Sequence, residues 1–223
     1  MRTLPMIAGV AALGIAFVPM IATAAPTTET LTLGASNLGG SFPPPFGTVK
    51  VDLLSSTTAQ LTYESNLAGG YIFIDGGAAA ANFNGPVTLG LVSCNAPSLS
   101  CGSNGGSGNE DGFGSFSNSW NLANAGAGNR ASEIILTATL TSGSWDTDVG
   151  NVLTANNNKY LVAAHIGAGN CTSVPSCNSI DLTKTGFAGD GTVVPAPEPL
   201  SLALLGTGLI GLGFAQRRRM NRA

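Results

Sequence analysis

Apolar and polar residues alternate with a period of two along three stretches of the central region. Val49, Val51 and Leu53 alternate with polar residues, and similar patterns recur at 59–63 and 134–140. Successive side chains of a strand point to opposite faces of a sheet, so each stretch predicts a strand with one buried face. Further runs rich in β-branched and aromatic residues also predict strands. These runs are 30–33, 71–75, 87–92, 113–120 and 159–166.

The connections between these runs are clusters of Gly, Asn, Ser and Pro, which favour turns. The segment 102–118 consists largely of Gly, Ser and Asn, and we expect it to form a long surface loop. No stretch of the central region predicts a capped amphipathic helix. About eight short antiparallel strands within 25–193 predict an all-β domain, an antiparallel β-sandwich of the jelly-roll type.

The first 24 residues have the features of a cleavable signal peptide. Arg2 precedes a mainly apolar run at 4–21, and small residues with A-x-A spacing follow it. Cleavage after Ala24 or Ala25 would release the mature chain into an exported compartment. The alternative is an N-terminal membrane anchor, which the short apolar run and its prolines at 5 and 19 disfavour.

The last thirty residues combine three different features in a fixed order. A Pro-Glu-Pro tripeptide is followed by an almost wholly apolar stretch at 200–215 and then by an arginine cluster. As a helix, the apolar stretch would measure about 24 Å, slightly short of the ~30 Å of a hydrocarbon core. The arginines would stay in the cytoplasm, because a cationic cluster crosses a membrane at high cost. The tripeptide and cluster residues are Pro197, Glu198, Pro199, Arg217, Arg218 and Arg219.

These features resemble the PEP-CTERM sorting signal of Gram-negative bacteria, over residues 194–223. The resemblance implies that an exosortase, a membrane protease of the transpeptidase type, recognises the tail after the signal peptidase and the secretion machinery have acted. It also implies that the tail is a single transmembrane helix threaded through the inner membrane during sorting. The implied destination is the cell surface, the outer envelope or the exopolysaccharide matrix.

One position departs from the family's pattern. Leu200 stands directly after the tripeptide, where the family commonly has Ser or Thr, and Ser201 follows one place later. The alternative interpretation of the tail is a plain C-terminal membrane anchor that follows a proline-rich linker.

Charged residues make up only 9 % of the chain and are unevenly placed. All twelve acidic residues lie within 25–199, together with only four of the nine basic residues. A nucleic-acid-binding protein needs a basic surface to contact phosphates, so the composition excludes that class. The acidic body favours a cationic partner over an anionic one.

Four cysteines form two closely spaced pairs, Cys94 with Cys101 and Cys171 with Cys177. Four cysteines allow three connectivities; an exported chain favours disulfides, and the short separations favour local pairing. Closing the eight residues from 94 to 101 would stabilise the fold by about 2.5 kcal/mol. A zinc site with four thiolate ligands is the alternative, although the spacing within each pair is wider than in zinc sites.

One histidine and two carboxylate pairs are the candidate catalytic groups. His165 lies near the end of a predicted strand. Two interpretations fit this position: a general base, or a histidine hydrogen-bonded at the rim of a sheet. The two carboxylate pairs are Glu110 with Asp111 and Asp146 with Asp148. Each pair is either the pair of acids that a glycosidase uses or a pair of solvated acidic residues in a loop. Residues 146–151 also begin like a calcium-binding loop, although they depart from the EF-hand pattern. We favour the structural interpretation for all of these residues.

The sequence and the resemblance together predict an exported, non-enzymatic protein with a structural or binding role and no cofactor. The resemblance adds exopolysaccharide as a partner beside the exosortase-type protease. One alternative is an extracellular carbohydrate-active enzyme that uses Asp146, Asp148 or His165. Another is a glycan-binding adhesin module in which Trp120 or Trp145 stacks on sugar rings.

Overall fold

The computed structural model describes residues 27–39, 42–96, 101–122, 130–169 and 184–191. This part of the chain is all-β, with two single 3-10 turns at Leu67–Gly69 and Val149–Asn151. The strands are β1 (Thr28–Leu33), β2 (Ala35–Ser36), β3 (Gly47–Ser55), β4 (Thr58–Ser65), β5 (Tyr71–Ile74), β6 (Ala79–Ala81), β7 (Val87–Cys94), β8 (Ser103–Glu110), β9 (Gly114–Asn121), β10 (Arg130–Ala131), β11 (Glu133–Leu140), β12 (Val162–Ala168) and β13 (Lys184–Gly189).

The first sheet contains β1, β3, β4, β11 and β7 in that spatial order, and every neighbouring pair is antiparallel. Val49, Leu61 and Leu136 point into the molecule and are almost fully buried. The residues that alternate with them face outward, because successive side chains of a strand point to opposite faces. The predicted strands at 49–53, 59–63 and 134–140 are therefore confirmed.

The second sheet contains eight strands and is built around β12. One side of β12 pairs with β13, and its other side pairs with β5 at 166–168 and with β6 at 162–163. β5 and β6 therefore follow one another along β12, and residues 75–78 connect them. We call this connection the glycine loop, because it contains Gly76 and Gly77. Beyond it, β6 pairs with β9, β9 with β8, β5 with β10, and β13 with β2.

One large hydrophobic core lies between the two sheets. Its bulkiest fully buried members include Trp145, Tyr63 and Phe73, and each large apolar side chain removed from water contributes about 1.5–3 kcal/mol. The polar atoms of two of these aromatic side chains are hydrogen-bonded to backbone carbonyls: Trp145 Nε1 donates to the carbonyl of Asn84 at 2.8 Å, and the Tyr63 hydroxyl donates to the carbonyl of Ala80 at 2.8 Å.

A second, smaller apolar cluster lies on the outward face of the second sheet. Ala80 and Ala163 form its floor, and Phe113 and Phe116 pack over them. The sheet residues beneath these two rings, Gly189 among them, must be small. A Cβ at Gly189 would lie 2.5 Å from Phe113 Cδ1, well inside van der Waals contact. This sheet is therefore buried on both faces over much of its area, and β5 and β6 are accordingly buried at every position.

The expectation of a long surface loop at 102–118 is wrong. Residues 103–110 form β8, which pairs with β9. The register shifts twice, between Asn104 and Gly106 and between Gly106 and Gly108, so the strand tolerates a glycine-rich sequence through irregular pairing. Backbone hydrogen bonds need no particular side chain, so low-complexity composition was a misleading signal here.

Among the residues that the structure describes, none belongs to a helix long and apolar enough to cross a membrane. The predicted signal peptide at 1–24 and the sorting signal at 194–223 lie outside the described residues, and the domain boundary at 193 stays a prediction.

Candidate functional site

The structure joins Cys94 to Cys101 in a disulfide, with 5.9 Å between the two Cα atoms. The bridge connects the end of β7, an edge of the first sheet, to the chain that enters β8 in the second sheet. These two sulfurs are bonded to each other, so they do not supply thiolates to a four-cysteine zinc site. Cys171 and Cys177 lie outside the described residues, as do all six residues predicted for the sorting signal.

Both tryptophans belong to the core and do not offer an exposed ring. Trp145 is 1 % exposed and stacks against Phe83, with 6.4 Å between ring centroids. Trp120 is 5 % exposed, and its Nε1 donates to the carbonyl of Cys101 at 2.7 Å, beside the disulfide. The structure therefore removes the basis for sugar stacking on either ring.

Asp146 and Asp148 shape the loop between β11 and β12. The Asp146 backbone has φ 56°, and its N–H donates to Ser144 Oγ at 2.9 Å. Asp148 caps the 3-10 turn by accepting from the N–H of Gly150 at 2.9 Å. Within the described ranges, no three His, Cys, Asp or Glu side chains are grouped closely enough to hold a metal ion.

The predicted pair Glu110 and Asp111 is split by the structure. Asp111 is exposed, whereas Glu110 is 2 % exposed at the end of β8. Glu110 Oε1 accepts from Ser119 Oγ at 3.1 Å. The carboxylate lies directly against Gly77, where a Cβ would overlap it. Burial raises the pKa of Glu110 to about 7, although the hydrogen bond from Ser119 opposes this shift.

His165 lies in the middle of β12 on the outward face of the second sheet. Its Nδ1 donates to the carbonyl of Asp75, and its ring stacks on Phe187 with 4.4 Å between centroids. Its backbone N–H donates to the carbonyl of Gly77 at 2.8 Å. Burial lowers the pKa of His165, and the contact with the Asp75 carbonyl opposes this shift. The imidazole is thus held against the sheet by a backbone carbonyl and an aromatic ring.

Glu110 and His165 contact neighbouring residues of the glycine loop, Gly77 and Gly76 respectively. The loop is fixed from a third side, since Asn121 Oδ1 accepts from the N–H of Gly77 at 2.8 Å. A buried carboxyl whose pKa is raised and an imidazole whose pKa is lowered are thus anchored on one outward face. Asp146 and Asp148 are not part of this arrangement, because the turn that Asp148 caps contacts β1 and β3 of the first sheet.

Asp190 is a buried acid that the sequence analysis missed. It is 1 % exposed at the end of β13, and its carboxylate accepts from the N–H of Leu161 at 3.2 Å. Burial raises its pKa to about 6 against the effect of backbone hydrogen bonds, and the charge of Glu29 adds to the rise. A lone Asp between glycines resembles an exposed turn residue, so no signal in the sequence marked it. The Gly-Gly pair at 76–77 was the available signal for a close approach near Glu110.

No family model matches the chain, and neither a curated protein nor a solved structure matches it.

Proposed function

We propose that this protein is an exported, non-catalytic module of the cell surface or exopolysaccharide matrix, delivered by an exosortase-type system. The observation that carries the proposal is the order of features at the C-terminus: Pro-Glu-Pro, an apolar stretch and an arginine cluster, paired with an N-terminal signal peptide. In this proposal the central domain is a jelly-roll-like sandwich, and its role is structural or binding.

Two structural observations support this proposal. The disulfide between Cys94 and Cys101 suits an oxidising compartment outside the cytoplasm. A carbohydrate-active enzyme would need two acids in an aromatic-lined cleft. The carboxylates of Asp146 and Asp148 instead accept hydrogen bonds within their own loop, and His165 donates to a backbone carbonyl. Each of these groups therefore has a structural role that accounts for its position.

The test is the intact mass, under non-reducing conditions, of the protein recovered from the envelope and medium of its own host. The uncleaved chain has a mass of 22.3 kDa. We expect a chain that begins near Ala25 and ends near the Pro-Glu-Pro tripeptide, with any extra mass reporting a glycan or a covalent anchor. A mass that still includes residues 200–223 would overturn the exosortase proposal.

A matched pair of variants sharpens this test. Glu198→Ala changes the tripeptide only, whereas Glu133→Ala removes an acidic residue from β11 in the body. We expect Glu198→Ala to leave the tail attached and Glu133→Ala to be processed like the unaltered chain. Equal processing of both variants would show that the tripeptide is not recognised.

A further inference from the structure

The outward face of the first sheet carries nine threonines on five neighbouring strands. We call it the threonine face: Thr28, Thr30, Thr32, Thr48, Thr58, Thr62, Thr88, Thr137 and Thr139. Five strands spaced about 4.8 Å apart span roughly 19 Å across the sheet. The threonines are exposed or half-buried, since the residues that alternate with them fill the core.

The register of the strands sets five of the nine threonines side by side. Thr32 lies opposite Thr48 across β1 and β3. At the other end, Thr58, Thr139 and Thr88 form a row across β4, β11 and β7. These cross-strand neighbours are about 4.5–5.5 Å apart at Cβ, so their hydroxyls form two short rows, whereas the other four threonines lie opposite other residue types.

Most of these hydroxyls are not used by the fold. Thr28 Oγ1 donates to Asp52 at 2.7 Å, and Thr137 Oγ1 donates to the carbonyl of Gly90 at 3.4 Å. The other seven hydroxyls make no hydrogen bond to any described residue. They are therefore free to donate to and accept from an external hydroxyl.

The charges on this face favour a neutral ligand over an acidic one. Its single cation, Lys50, is paired with Asp52 at 2.9 Å. Glu64 and Glu133 lie opposite each other across β4 and β11, at one end of the face. An acidic polymer would therefore meet two carboxylates and no unpaired cation on this part of the described surface.

A depression of about 270 Å³ lies at the same end of the face, lined in part by Thr48 and Glu64. It is slightly below the roughly 300–1,000 Å³ of pockets that bind drug-sized molecules, so its size suits a single small ring. The Thr48 hydroxyl and the Glu64 carboxylate are both able to accept a hydrogen bond from a sugar hydroxyl.

A protein partner fits this face less well. Protein interfaces depend on aromatic, Arg or other large anchors at the centre of the contact. The large exposed apolar residues of the described chain are Leu54, Leu91 and Val92, which lie near the tip of the β3–β4 hairpin and on edge strand β7. The centre of the face is Thr62, between Lys50 and Ile135.

We infer that the threonine face is a binding surface for a neutral polysaccharide chain, with one sugar unit in the depression beside Thr48 and Glu64. This inference rests on the proposed function, which brings the protein to a polysaccharide-bearing surface, and it assigns the contact to one face. Binding would come from many hydroxyl–hydroxyl hydrogen bonds, each contributing little, along a flat surface that needs no rearrangement.

The test is the retardation of the protein in native gels that contain polysaccharide. The full chain is recovered from its host without reduction, and the host's extracellular polysaccharide is separated by anion exchange into neutral and acidic fractions. We expect the neutral fraction to slow the protein and the acidic fraction to have no effect. Equal retardation by both fractions, or none by the neutral fraction, would overturn the inference.

Three variants locate the contact. Thr62→Val keeps the shape and strand preference but removes the hydroxyl, and we expect the apparent affinity to fall about fivefold. Thr62→Lys places a bulky charge at the centre of the face, and we expect a larger loss. Thr147→Lys adds the same charge in the exposed loop after β11, and it should bind like the unaltered chain.

The lysine variants also identify the class of polymer. If the acidic fraction already slows the unaltered chain, and Thr62→Lys strengthens that binding without weakening binding to the neutral fraction, the ligand is acidic and the inference is wrong. Unchanged binding by both Thr62 variants would show that the face is not the contact.

Failure of the binding inference can be distinguished from failure of the proposed function. A correctly processed chain that binds no neutral polysaccharide would contradict only the binding face, whereas an unprocessed chain that binds through Thr62 would contradict only the delivery.

Discussion

The two sheets of the sandwich present opposite kinds of outward face. The first sheet exposes threonines, whose hydroxyls are mostly unused by the fold. The second sheet presents small residues, including Ala80 and Ala163, and these are covered by Phe113 and Phe116. In this molecule the apolar outward face is covered by other side chains, whereas the face of threonines stays exposed. Gly and Ala let loops approach the backbone and pack, whereas β-branched polar residues keep a face open to solvent.

The largest difference in stability between variants of the two faces should come from removing one of the phenylalanines that cover the second sheet. Phe116→Ala, at 1 % exposure on the covered face, should lower the free energy of unfolding by about 3–5 kcal/mol. The matched substitution Thr139→Ala on the threonine face should lower the free energy of unfolding by less than about 1 kcal/mol, since it removes no buried packing. Urea denaturation followed by tryptophan fluorescence measures both. Similar losses for the two variants would contradict the distinction between the faces.

Removing the disulfide between Cys94 and Cys101 measures how much this link between the edges of the two sheets stabilises the protein. The double variant Cys94→Ser with Cys101→Ser should lower the free energy of unfolding by about 2.5 kcal/mol, because the unfolded chain regains the freedom of the closed loop. The measurement is urea denaturation of both proteins at one pH without reductant. A change below about 1 kcal/mol would show that the bridge adds little to the native sandwich.

The buried acid on the covered face should make stability depend on pH. Glu110 has a pKa of about 7 in the folded state and 4.5 when unfolded, so the folded state binds its proton more tightly. The contribution of Glu110 to the free energy of unfolding is on the order of 2 kcal/mol after solvent screening. It is fully present below pH 4.5 and is lost as the pH rises through 7. Asp190, with a folded pKa of about 6, acts in the same direction, whereas the lowered pKa of His165 acts in the opposite one.

Glu110→Gln isolates this contribution. The amide cannot ionise, and its oxygen still accepts from Ser119 Oγ. We therefore expect the variant to lose less stability than the unaltered chain between pH 5 and pH 7.5, as measured by thermal unfolding at both values. Glu64→Gln on the threonine face is the control for the loss of one carboxylate from the protein. A Glu110→Gln profile identical to that of the unaltered chain would refute a buried, proton-binding carboxyl.

The smallest effect should be that of Thr62→Val on stability. The position is half-buried on a central strand, and the hydroxyl has no hydrogen-bond partner among the described residues. Valine keeps the branched shape that strands favour, so the free energy of unfolding should change by no more than about 0.5 kcal/mol. Denaturant titration checks this. A loss above 1 kcal/mol would mean that the hydroxyl supports the fold and is not free for a ligand.

The candidate site could be predicted from the sequence only in part. The short spacing of Cys94 and Cys101 favoured the local pairing that the structure contains. His165 was expected at the rim of a sheet; it is hydrogen-bonded, but it lies mid-strand on a packed face. Glu110 and Asp111 were treated as a pair, yet the turn between β8 and β9 buries one and exposes the other. Sequence proximity does not report which side of a chain faces the protein.

The strands whose two faces differ can be identified from the amino-acid pattern alone. At 49–53, 59–63 and 134–140, alternation broken only by Ile135 reflects one side in the core and one side in water, which is a local property that a single strand displays. Strands that are buried on both sides or built from glycine, such as β6 and β8, become identifiable only once the whole fold is known. Their pairing depends on backbone hydrogen bonds and on partners distant in sequence, so their own side chains carry little record of it. The burial of Glu110 and Asp190 has the same cause, because each is enclosed by chain segments that meet it only after the sandwich has formed.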